Sequence, residues 1–312
     1  MEKKIKQHVD VYQMVTDRVL EQLSKGIIPW QKPWKNIKSA SGDDLAISYV
    51  TRKPYSFLNQ MLLARNGEWL TFNQVKQMNG NIKRGAKAGL VVFFKRILTK
   101  KTVTDEHGVE TEKQIVIPML KYYHVFHIED CEGIDTKIIP TVDEPAEGVM
   151  VLQPIEEAER VIAGYLSREK TLKLHNDRPS SQALYSPVFD SVTVPMLSQY
   201  EIVDEYYSTL FHELVHSTGA KNRLNREDGM NSHGFGSKDY SREELVAELG
   251  SAMLCAATGI SNDAAFKNSV AYIQGWMQKL KSDNKAIVWA SSRSEKAARF
   301  IFNGERFDET AK

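Results

Sequence analysis

The clearest periodic pattern lies near the start of the chain, where apolar residues recur at steps of three and four over residues 5–23. This spacing is typical of an amphipathic helix, and Lys25-Gly26 marks its end. A different pattern follows at 89–98 and 113–128, which are rich in β-branched and aromatic residues. The polar turn between these two segments predicts a long β-hairpin.

Shorter elements lie between the first helix and the hairpin. Residues 45–50 fit a strand, and residues 56–65 fit a helix that ends at Asn66-Gly67. Thr71 and Gln74 have the spacing of a capping box, in which each side chain binds the other residue's backbone amide, so another short helix should begin there. The first part of the chain is therefore predicted to be mixed α+β.

The second half is predicted to be mainly helical. Residues 131–154 contain three prolines and five acidic residues, which favours a linker. Beyond it we expect a helix at 155–166, strands at 171–175, 183–186 and 188–194, and helices at 198–218, 241–259, 264–281 and 284–303. The prediction is an α+β protein of two domains: a mixed α+β domain at 1–130, and a mainly helical domain with a small sheet at 155–312.

Composition narrows the class of protein. With 26% charged and 42% hydrophobic residues, the 312-residue chain is typical of a folded soluble protein, which excludes disorder or a coiled coil as its main state. No apolar run approaches the roughly 18 residues of a membrane helix. Two cysteines cannot form a disulfide framework, and the N-terminus lacks the apolar core of a secretion signal. We therefore expect a cytoplasmic protein with no membrane partner.

The net charge of +1 conceals a strong asymmetry. Residues 1–101 contain 19 Lys and Arg but 7 Asp and Glu, whereas residues 102–312 contain 22 basic and 33 acidic residues. A basic first third predicts a polyanionic partner, for which nucleic acid is the commonest candidate. A basic face that only contacts solvent is the alternative interpretation.

The sharpest chemical signal is His212-Glu213-Leu214-Val215-His216. Residues four apart lie on one face of a helix, so both imidazoles can bind one ion while Glu213 reaches a water on that ion. Zinc lowers the pKa of such a water to about 7, and a glutamate can take its proton as the water attacks a carbonyl. The pattern predicts one Zn²⁺, or another divalent metal, at a metallopeptidase site with Glu213 as its base.

A third protein ligand must come from elsewhere. The metzincin pattern requires a histidine where this chain has Asn222. On the next predicted helix Glu244 and Glu248 share a face, as in gluzincins, where the first carboxylate binds the metal and the second orients a histidine. We predict Glu244 as the ligand and Glu248 as the orienting carboxylate, with Glu243 as the alternative ligand.

Four further features near the motif have open interpretations. His233, in a glycine-rich loop, is a weaker candidate ligand, because most loop histidines are only solvated. Ser241 and Glu244 have capping-box spacing, which competes with a ligand role for Glu244. Segment 185–195 fits either an ordinary strand or a sheet edge that pairs with an extended peptide. Tyr240 is a candidate for stabilising an oxyanion.

Aromatic and basic residues are interleaved in the first third of the chain. Single-stranded nucleic acid is bound by such mixtures, because cations contact phosphates and aromatic faces stack on unpaired bases. We predict a surface for single-stranded DNA (ssDNA) formed by Trp30, Trp34, Lys53, Tyr55, Trp69, Phe72, Lys83, Arg84, Lys87, Lys95 and Arg96. The alternative is that the tryptophans are core residues, and we expect at least one of them to be buried.

Several motifs resemble those of ArdC-type antirestriction proteins, and the resemblance covers nearly the whole chain. The motifs are GIIPW at 26–30, KPW at 32–34, WLTF at 69–72, KRGAK at 83–87, HELVHSTG at 212–219, EELVAELGSAMLCA at 243–256 and YIQGW at 272–276. Such proteins pair an ssDNA-binding domain with a zincin-like metallopeptidase domain, and mobile elements carry them. The resemblance implies protection of incoming DNA from host restriction, with a protein of the restriction machinery as a candidate substrate. It also adds Asn59 and Gln74 to the predicted DNA surface.

Two other hypotheses fit the same motifs. The N-terminal half also resembles a domain of plasmid primases, so the chain could be an ssDNA-binding accessory protein whose zincin domain is only structural. It could instead be a cytosolic metallopeptidase whose basic domain recruits proteins. A salt-dependent ssDNA titration and a proteolysis assay with Glu213→Gln would separate the three.

Overall fold

The computed structural model describes residues 9–31, 45–104, 110–138, 154–226, 238–260 and 270–304. Its helices are α1 (Val11–Ser24), α2 (Phe57–Leu63), α3 (Phe72–Gln77), α4 (Pro154–Arg168), α5 (Val203–Ser217), α6 (Lys238–Thr258), α7 (Val270–Ser282) and α8 (Ala286–Asn303). Its strands are β1 (Ala46–Ser48), β2 (Gly67–Thr71), β3 (Asn81–Ile82), β4 (Gly89–Thr104), β5 (Glu110–His127), β6 (Cys131–Glu132), β7 (Lys173–His175), β8 (Leu184–Ser186) and β9 (Ser191–Thr193). The protein is mixed α+β, as predicted.

Helix α1 begins later than its apolar pattern predicted, because Asp10 caps it. The Asp10 carboxylate accepts hydrogen bonds from the backbone amides of Tyr12 at 2.9 Å and Gln13 at 3.2 Å. A side chain at this position satisfies amides that have no partner inside the helix. The buried face of α1 then follows the predicted three-and-four spacing.

The N-terminal sheet has the strand order β1-β2-β5-β4. Strands β4 and β5 form the predicted hairpin, and their pairing runs from Gly89 opposite Val125 to Thr104 opposite Glu110. Strand β2 pairs with β5 only near the base of the hairpin, at residues 125–127. The outer part of the hairpin, residues 93–104 and 110–122, therefore extends beyond the sheet as a two-stranded ribbon, which we call the ribbon.

The predicted capping box at the start of α3 is confirmed. The backbone amide of Gln74 donates to Oγ1 of Thr71 at 3.3 Å, and the backbone amide of Thr71 donates to the side-chain Oε1 of Gln74 at 2.8 Å. Gln74 therefore uses its side-chain oxygen to stabilise the helix start, and its place on the DNA surface stays a prediction from the resemblance.

In the C-terminal half, α5 and α6 pack closely against each other, and Gly250 permits this approach. A Cβ atom at position 250 would lie only 2.8 Å from Cγ2 of Val215 on α5. A three-stranded sheet of order β7-β9-β8 lies beside these helices. Strand β8 is antiparallel to β9 and forms one edge of the sheet as far as the structure describes the chain.

One hydrophobic core joins the two halves of the chain. Trp30, Val92 and Leu120 from the N-terminal half belong to the same buried cluster as Leu214 and many other residues of the C-terminal helices. The ring of Trp30 meets that of Trp276 edge-on, with ring centroids 6.0 Å apart. The two predicted domains are therefore packed together along an apolar interface.

The predicted linker begins inside the N-terminal half. Strand β6, at its start, pairs with β3. The Thr136 hydroxyl donates to the buried Glu68 carboxylate at 2.7 Å, and the backbone amide of Lys137 donates to the same carboxylate at 3.0 Å. Residues 131–132 are thus held against β3 and residues 136–137 against β2, while the boundaries predicted at 130 and 155 stay predictions. None of the described helices is long and apolar enough to cross a membrane.

Candidate metal centre and DNA-facing surface

Helix α5 directs its two histidines into one cleft because its other face is buried. Leu210 and Leu214 lie in the core, each with at most 1% of its surface exposed. His212 and His216 share the opposite side, one helical turn apart. Their Nε2 atoms lie 3.2 Å from each other, so both imidazoles can contact a single ion.

Glu244 of α6 completes a triangle of ligand atoms. Its Oε2 lies 3.7 Å from Nε2 of His212, and its Oε1 lies 3.5 Å from Nε2 of His216. Ligand atoms about 2.1 Å from a tetrahedral zinc ion lie about 3.4 Å from one another. The two Glu244 distances involve different oxygens, but one ligand atom from each of the three residues lies within 4.8 Å of the other two. Among the described residues, these side chains therefore form a potential site for one metal ion.

A second carboxylate stands behind each histidine. Oε2 of Glu248 lies 3.9 Å from Nδ1 of His212, and Oε1 of Glu243 lies 3.7 Å from Nδ1 of His216. A carboxylate on the Nδ1 side favours the tautomer whose Nε2 can bind metal. Glu248 has the position predicted for it. Glu243 faces Nδ1 of His216, whereas Glu244 faces Nε2 of the same ring.

Arg226 fixes Glu243 in this position. The role of Arg226 was not predicted from the sequence. Its Nη2 donates to Oε1 of Glu243 and to the carbonyl of Val215, both at 2.9 Å. Burial raises the pKa of Glu243, but the Arg226 charge and the hydrogen bond to His216 outweigh it, so the pKa lies below its usual value. Arg226 belongs to an irregular segment after α5, where no periodic pattern could have indicated its partner.

The carboxylates make the cleft strongly attractive to a cation. Burial lowers the pKa of His212, but its hydrogen bond to Glu244 and the charges of Glu213 and Glu248 outweigh this and raise it to about 9. Burial raises the pKa of Glu244, but the hydrogen bond to His212 and the charge of His216 lower it to about 2. The raised pKa of His212 has the sign expected for a positive group among carboxylates, and the lowered pKa of Glu244 has the sign expected for a carboxylate beside two histidines.

The cleft in front of the histidines has a volume of about 540 Å³. Glu213 and Tyr240 line it, and β8 runs along one side. Tyr240 lies in the first turn of α6, one residue before the predicted start of that helix. Burial and the neighbouring Glu244 charge raise its pKa to about 12.

Helix α6 begins at Lys238, three residues before the predicted start. Ser241 is therefore inside the helix, where it cannot serve as the N-cap. The predicted competition between capping and metal binding at Glu244 does not arise. His233 and Trp34 lie outside the described residues.

The basic residues predicted for DNA binding are all at the surface. The exposed members of the predicted set are Lys53, Phe72, Lys83, Arg84, Lys87, Lys95 and Arg96, and Tyr55 is half-buried. Lys83 also donates from Nζ to the backbone carbonyl of Glu129 at 2.8 Å. The cations are therefore placed where they can contact phosphates.

Trp30 and Trp69 do not fit the expected stacking on bases. Their relative exposures are 0% and 4%, which confirms that at least one of the tryptophans is buried. Trp69 packs edge-on against His127, with ring centroids 5.2 Å apart. Both indoles are core residues, so we leave them out of the proposed DNA surface.

Asn59 is also buried, and its amide group pairs with the backbone of β4. Its Nδ2 donates to the Val92 carbonyl, and its Oδ1 accepts from the Val92 amide, both at 2.9 Å. This paired geometry accounts for an asparagine here without a ligand. The assignment of Asn59 to the DNA surface is therefore revised.

Exposed aromatic rings occur instead on the ribbon, and the sequence analysis missed them. Phe93, Phe94 and Tyr122 are 44%, 49% and 36% exposed. Lys95 and Arg96 follow directly on β4, so rings and cations are interleaved there. Locally, the β4 sequence cannot be distinguished from a buried strand, because the exposure of these rings depends on what packs against the faces of the ribbon.

Comparison with known proteins assigns both halves of the chain. Residues 9–126 match the family model described as the N-terminal domain of anti-restriction factor ArdC, and residues 163–293 match that of a zincin-like metallopeptidase. Crystal structures of the antirestriction ArdC protein from plasmid R388 share 28% identity with this chain, covering 94% of it and 97% of the ArdC chain. Their TM-scores are 0.64 for the metal-free and 0.65 for the Mn(II)-bound structure. The chain belongs to the ArdC family of antirestriction proteins.

Two relatives illustrate the range of this family. The uncharacterised protein y4eC of Sinorhizobium fredii is 30% identical over 302 residues, which cover 94% of this chain and 91% of y4eC. A DNA primase TraC of Escherichia coli is 29% identical over 309 residues, but the match spans only 27% of its length. The Mn(II)-bound ArdC structure and the donor atoms found here together support a divalent metal at the cleft.

Proposed function

We propose that this antirestriction protein binds ssDNA through its N-terminal half and hydrolyses peptide bonds at a zinc centre in its C-terminal half. The observation that carries the hydrolytic part is that His212, His216 and Glu244 each offer a ligand atom within 4.8 Å of the other two. Family membership supports the antirestriction role. The cytoplasm is the proposed location, since incoming DNA meets restriction enzymes there.

The residues of the cleft divide the chemistry among them. His212, His216 and Glu244 would hold the ion, which when bound lowers the pKa of a coordinated water and polarises a carbonyl. Glu213 lines the same cleft without belonging to the three-ligand group, so it is the candidate to accept the proton of the attacking water. Glu243 and Glu248 hold the imidazoles from behind.

An extended peptide is the substrate that suits the cleft. Strand β8 lies at its side and can pair with an added strand through backbone hydrogen bonds. Tyr240 reaches the same space, where its hydroxyl could stabilise an oxyanion. We propose a protein of the host restriction machinery as the source of that peptide.

Two substitutions separate catalysis from metal binding. Glu213→Gln should retain the metal and lose hydrolysis, because it removes the base and leaves the ligands intact. Glu244→Gln should lose most of the bound metal, because a neutral amide is a poor ligand for zinc. Elemental analysis and a proteolysis assay measure the two effects, with the exposed Glu201→Gln as the control.

Restriction protection by the same proteins decides among the functional hypotheses. Protection that requires Glu213 would support a peptidase acting against the restriction machinery. Full protection by Glu213→Gln would instead favour ssDNA binding with a structural zincin domain. Unchanged metal content in Glu244→Gln, with loss in Glu243→Gln, would contradict the ligand assignment.

The ribbon and the basic loop after β3 are the proposed ssDNA surface. Phe93, Phe94 and Phe72 offer exposed rings to bases, and Lys95, Arg96 and the cations at 83–87 offer charges to phosphates. The relatives named DNA primase agree with a DNA partner. Every described member of this surface lies in the N-terminal half, which agrees with its excess of positive charge.

A salt titration tests this surface. Binding of an oligonucleotide to the full chain should weaken with salt by about 0.7 log units of affinity per log unit of salt for each phosphate contact. The Lys95→Ala and Arg96→Ala double variant should lower that slope, whereas Lys170→Ala in the C-terminal half should not. Phe94→Ala should weaken binding by about 1–3 kcal/mol if a base stacks on this ring. Equal affinity for a blunt duplex would contradict the preference for single strands.

A further inference from the structure

A row of polar groups leads from the N-terminal half to the metal centre. Nε1 of Trp30 donates to the hydroxyl oxygen of Tyr272 over 3.4 Å. The Tyr272 hydroxyl donates to Oε1 of Glu248, and Oε2 of the same carboxylate lies 3.9 Å from Nδ1 of His212. Side chains from four separate parts of the chain are thus connected in one line.

Trp30 and Glu248 are buried, and Tyr272 between them is half-buried. Trp30 is 0% exposed and Glu248 is 6% exposed, so water is not a ready substitute for either partner. Trp276 covers one side, with ring centroids 6.0 Å from Trp30 and 6.4 Å from Tyr272. Because a buried polar group that loses its partner still pays its desolvation cost, each member depends on the next.

The two oxygens of Glu248 have different partners. Tyr272 binds Oε1, which leaves Oε2 directed at the imidazole of His212. Without the Tyr272 hydroxyl, the carboxylate of Glu248 could rotate, and Oε2 would no longer be fixed in its direction toward His212. A residue that fixes this rotation also fixes the direction of Nε2 on the far side of the ring.

We propose that Tyr272 and Trp30 are positioning residues of the metal centre, which hold the Glu248 carboxylate and through it orient His212. This rests on the metal centre proposed above. In this proposal, Trp30 supports the metal centre through its hydrogen bond to Tyr272 and does not stack on a base. It also makes the N-terminal half a direct support of a site whose described ligands all lie in the C-terminal half.

Affinity for Mn(II), measured by chelator competition on the full chain, tests the proposal without any activity assay. Tyr272→Phe retains the ring beside Trp276 and removes only the hydroxyl. Its affinity should fall about 2- to 10-fold, which corresponds to one net hydrogen bond. Glu248→Ala removes the direct partner of His212 and should lower affinity further, about 10- to 100-fold.

The matched control is Tyr207→Phe. The Tyr207 hydroxyl donates a 2.8 Å hydrogen bond to Oε1 of Glu159, and neither residue lines the cleft. The control should bind Mn(II) within about twofold of wild type.

A double-mutant cycle shows whether Tyr272 acts through Glu248. If it does, Tyr272→Phe should weaken Mn(II) binding little further once Glu248→Ala is present. Losses that multiply in the double variant would mean independent effects and would overturn the proposal. Trp30→Phe should weaken binding about 2- to 10-fold, which corresponds to one net hydrogen bond.

The outcomes distinguish this proposal from the one on which it rests. Wild type that binds no Mn(II) or zinc contradicts the metal centre itself. Wild type that binds Mn(II), together with a folded Tyr272→Phe of equal affinity, overturns the positioning role alone. If Tyr272→Phe does not fold by circular dichroism, Trp30→Phe decides, and unchanged affinity in that variant overturns the proposal.

Discussion

At the scale of single residues, Asn59 shows how a buried polar group can be mistaken for a binding group. Its amide makes one donor and one acceptor contact with Val92, so it occupies both backbone groups of that β4 residue. A sequence shows the polar side chain but not the strand that will lie beside it. Structure therefore moves Asn59 from the predicted DNA surface to the set of residues that hold β4 against α2.

Asn59→Ala should lower the free energy of unfolding by about 1–3 kcal/mol, because it leaves two buried backbone groups without partners. Urea denaturation measures this change. The exposed Asn73→Ala on α3 is the control and should stay within about 0.5 kcal/mol of wild type. Affinity for ssDNA should be unchanged in the folded Asn59→Ala protein. Wild-type stability together with lost DNA affinity would restore the original assignment.

The glutamates of α6 make a second point at this scale. Glu243 and Glu244 are adjacent in sequence, and the face shared by Glu244 and Glu248 favoured Glu244 as the ligand, with Glu243 as the alternative. In the structure Glu244 faces the Nε2 atoms of both histidines, whereas Glu243 faces Nδ1 of one histidine and Arg226. Helical geometry separates neighbouring side chains by about 100°, and tertiary packing determines which of the two directions faces the cleft.

At the scale of elements, the metal centre depends on how closely α5 approaches α6. His212 and His216 lie on α5, and the third predicted ligand, Glu244, lies on α6. Gly250 lies opposite Val215 and lacks the side chain that would hold the two helices apart. A residue with no chemistry of its own thus helps to set the distance between His216 and Glu244.

Gly250→Ala should destabilise the protein by about 1–3 kcal/mol through overpacking, even though alanine favours helices. It should also weaken Mn(II) binding, because α6 must shift away from α5. Gly275→Ala on α7 is the matched control, since a Cβ atom there would meet nothing within 4 Å. That control should be up to about 1 kcal/mol more stable than wild type and bind Mn(II) normally. Equal behaviour of the two variants would contradict the spacing argument.

At the scale of the whole molecule, the continuous core links the stability of the two halves. Leu120 of β5 belongs to the same buried cluster as residues of α5 and α6. Two domains joined only by a linker would unfold separately, whereas a shared core favours a single cooperative transition. The family match to two separate domain types is compatible with this packing.

Leu120→Ala should therefore destabilise both halves by a similar amount, about 2–5 kcal/mol. Hydrogen exchange with mass spectrometry at increasing urea concentrations can follow peptides from α1 and from α8 in one experiment. Both sets should lose protection at the same, lowered urea midpoint. A variant in which only N-terminal peptides shift would show that the halves unfold independently.

The sequence by itself determined the features that depend on neighbours along the chain. The repeat of apolar residues indicated α1, the Thr71–Gln74 spacing indicated the start of α3, and the β-branched segments indicated the β4–β5 hairpin. The His212–His216 spacing indicated two imidazoles on one helix face. Each follows from the fixed geometry of a helix or strand, so residues a few positions apart are sufficient to define it.

Tertiary structure alone decided which groups face solvent and which face each other. Trp30 is buried beside Tyr272 and Trp276, which lie about 240 positions away in the sequence, whereas Phe93 of the ribbon is 44% exposed. The pairing of Glu243 with Arg226 likewise depends on a segment outside α6. Burial is a property of the partners that a side chain meets across the fold, and local periodicity carries no information about partners so distant in sequence.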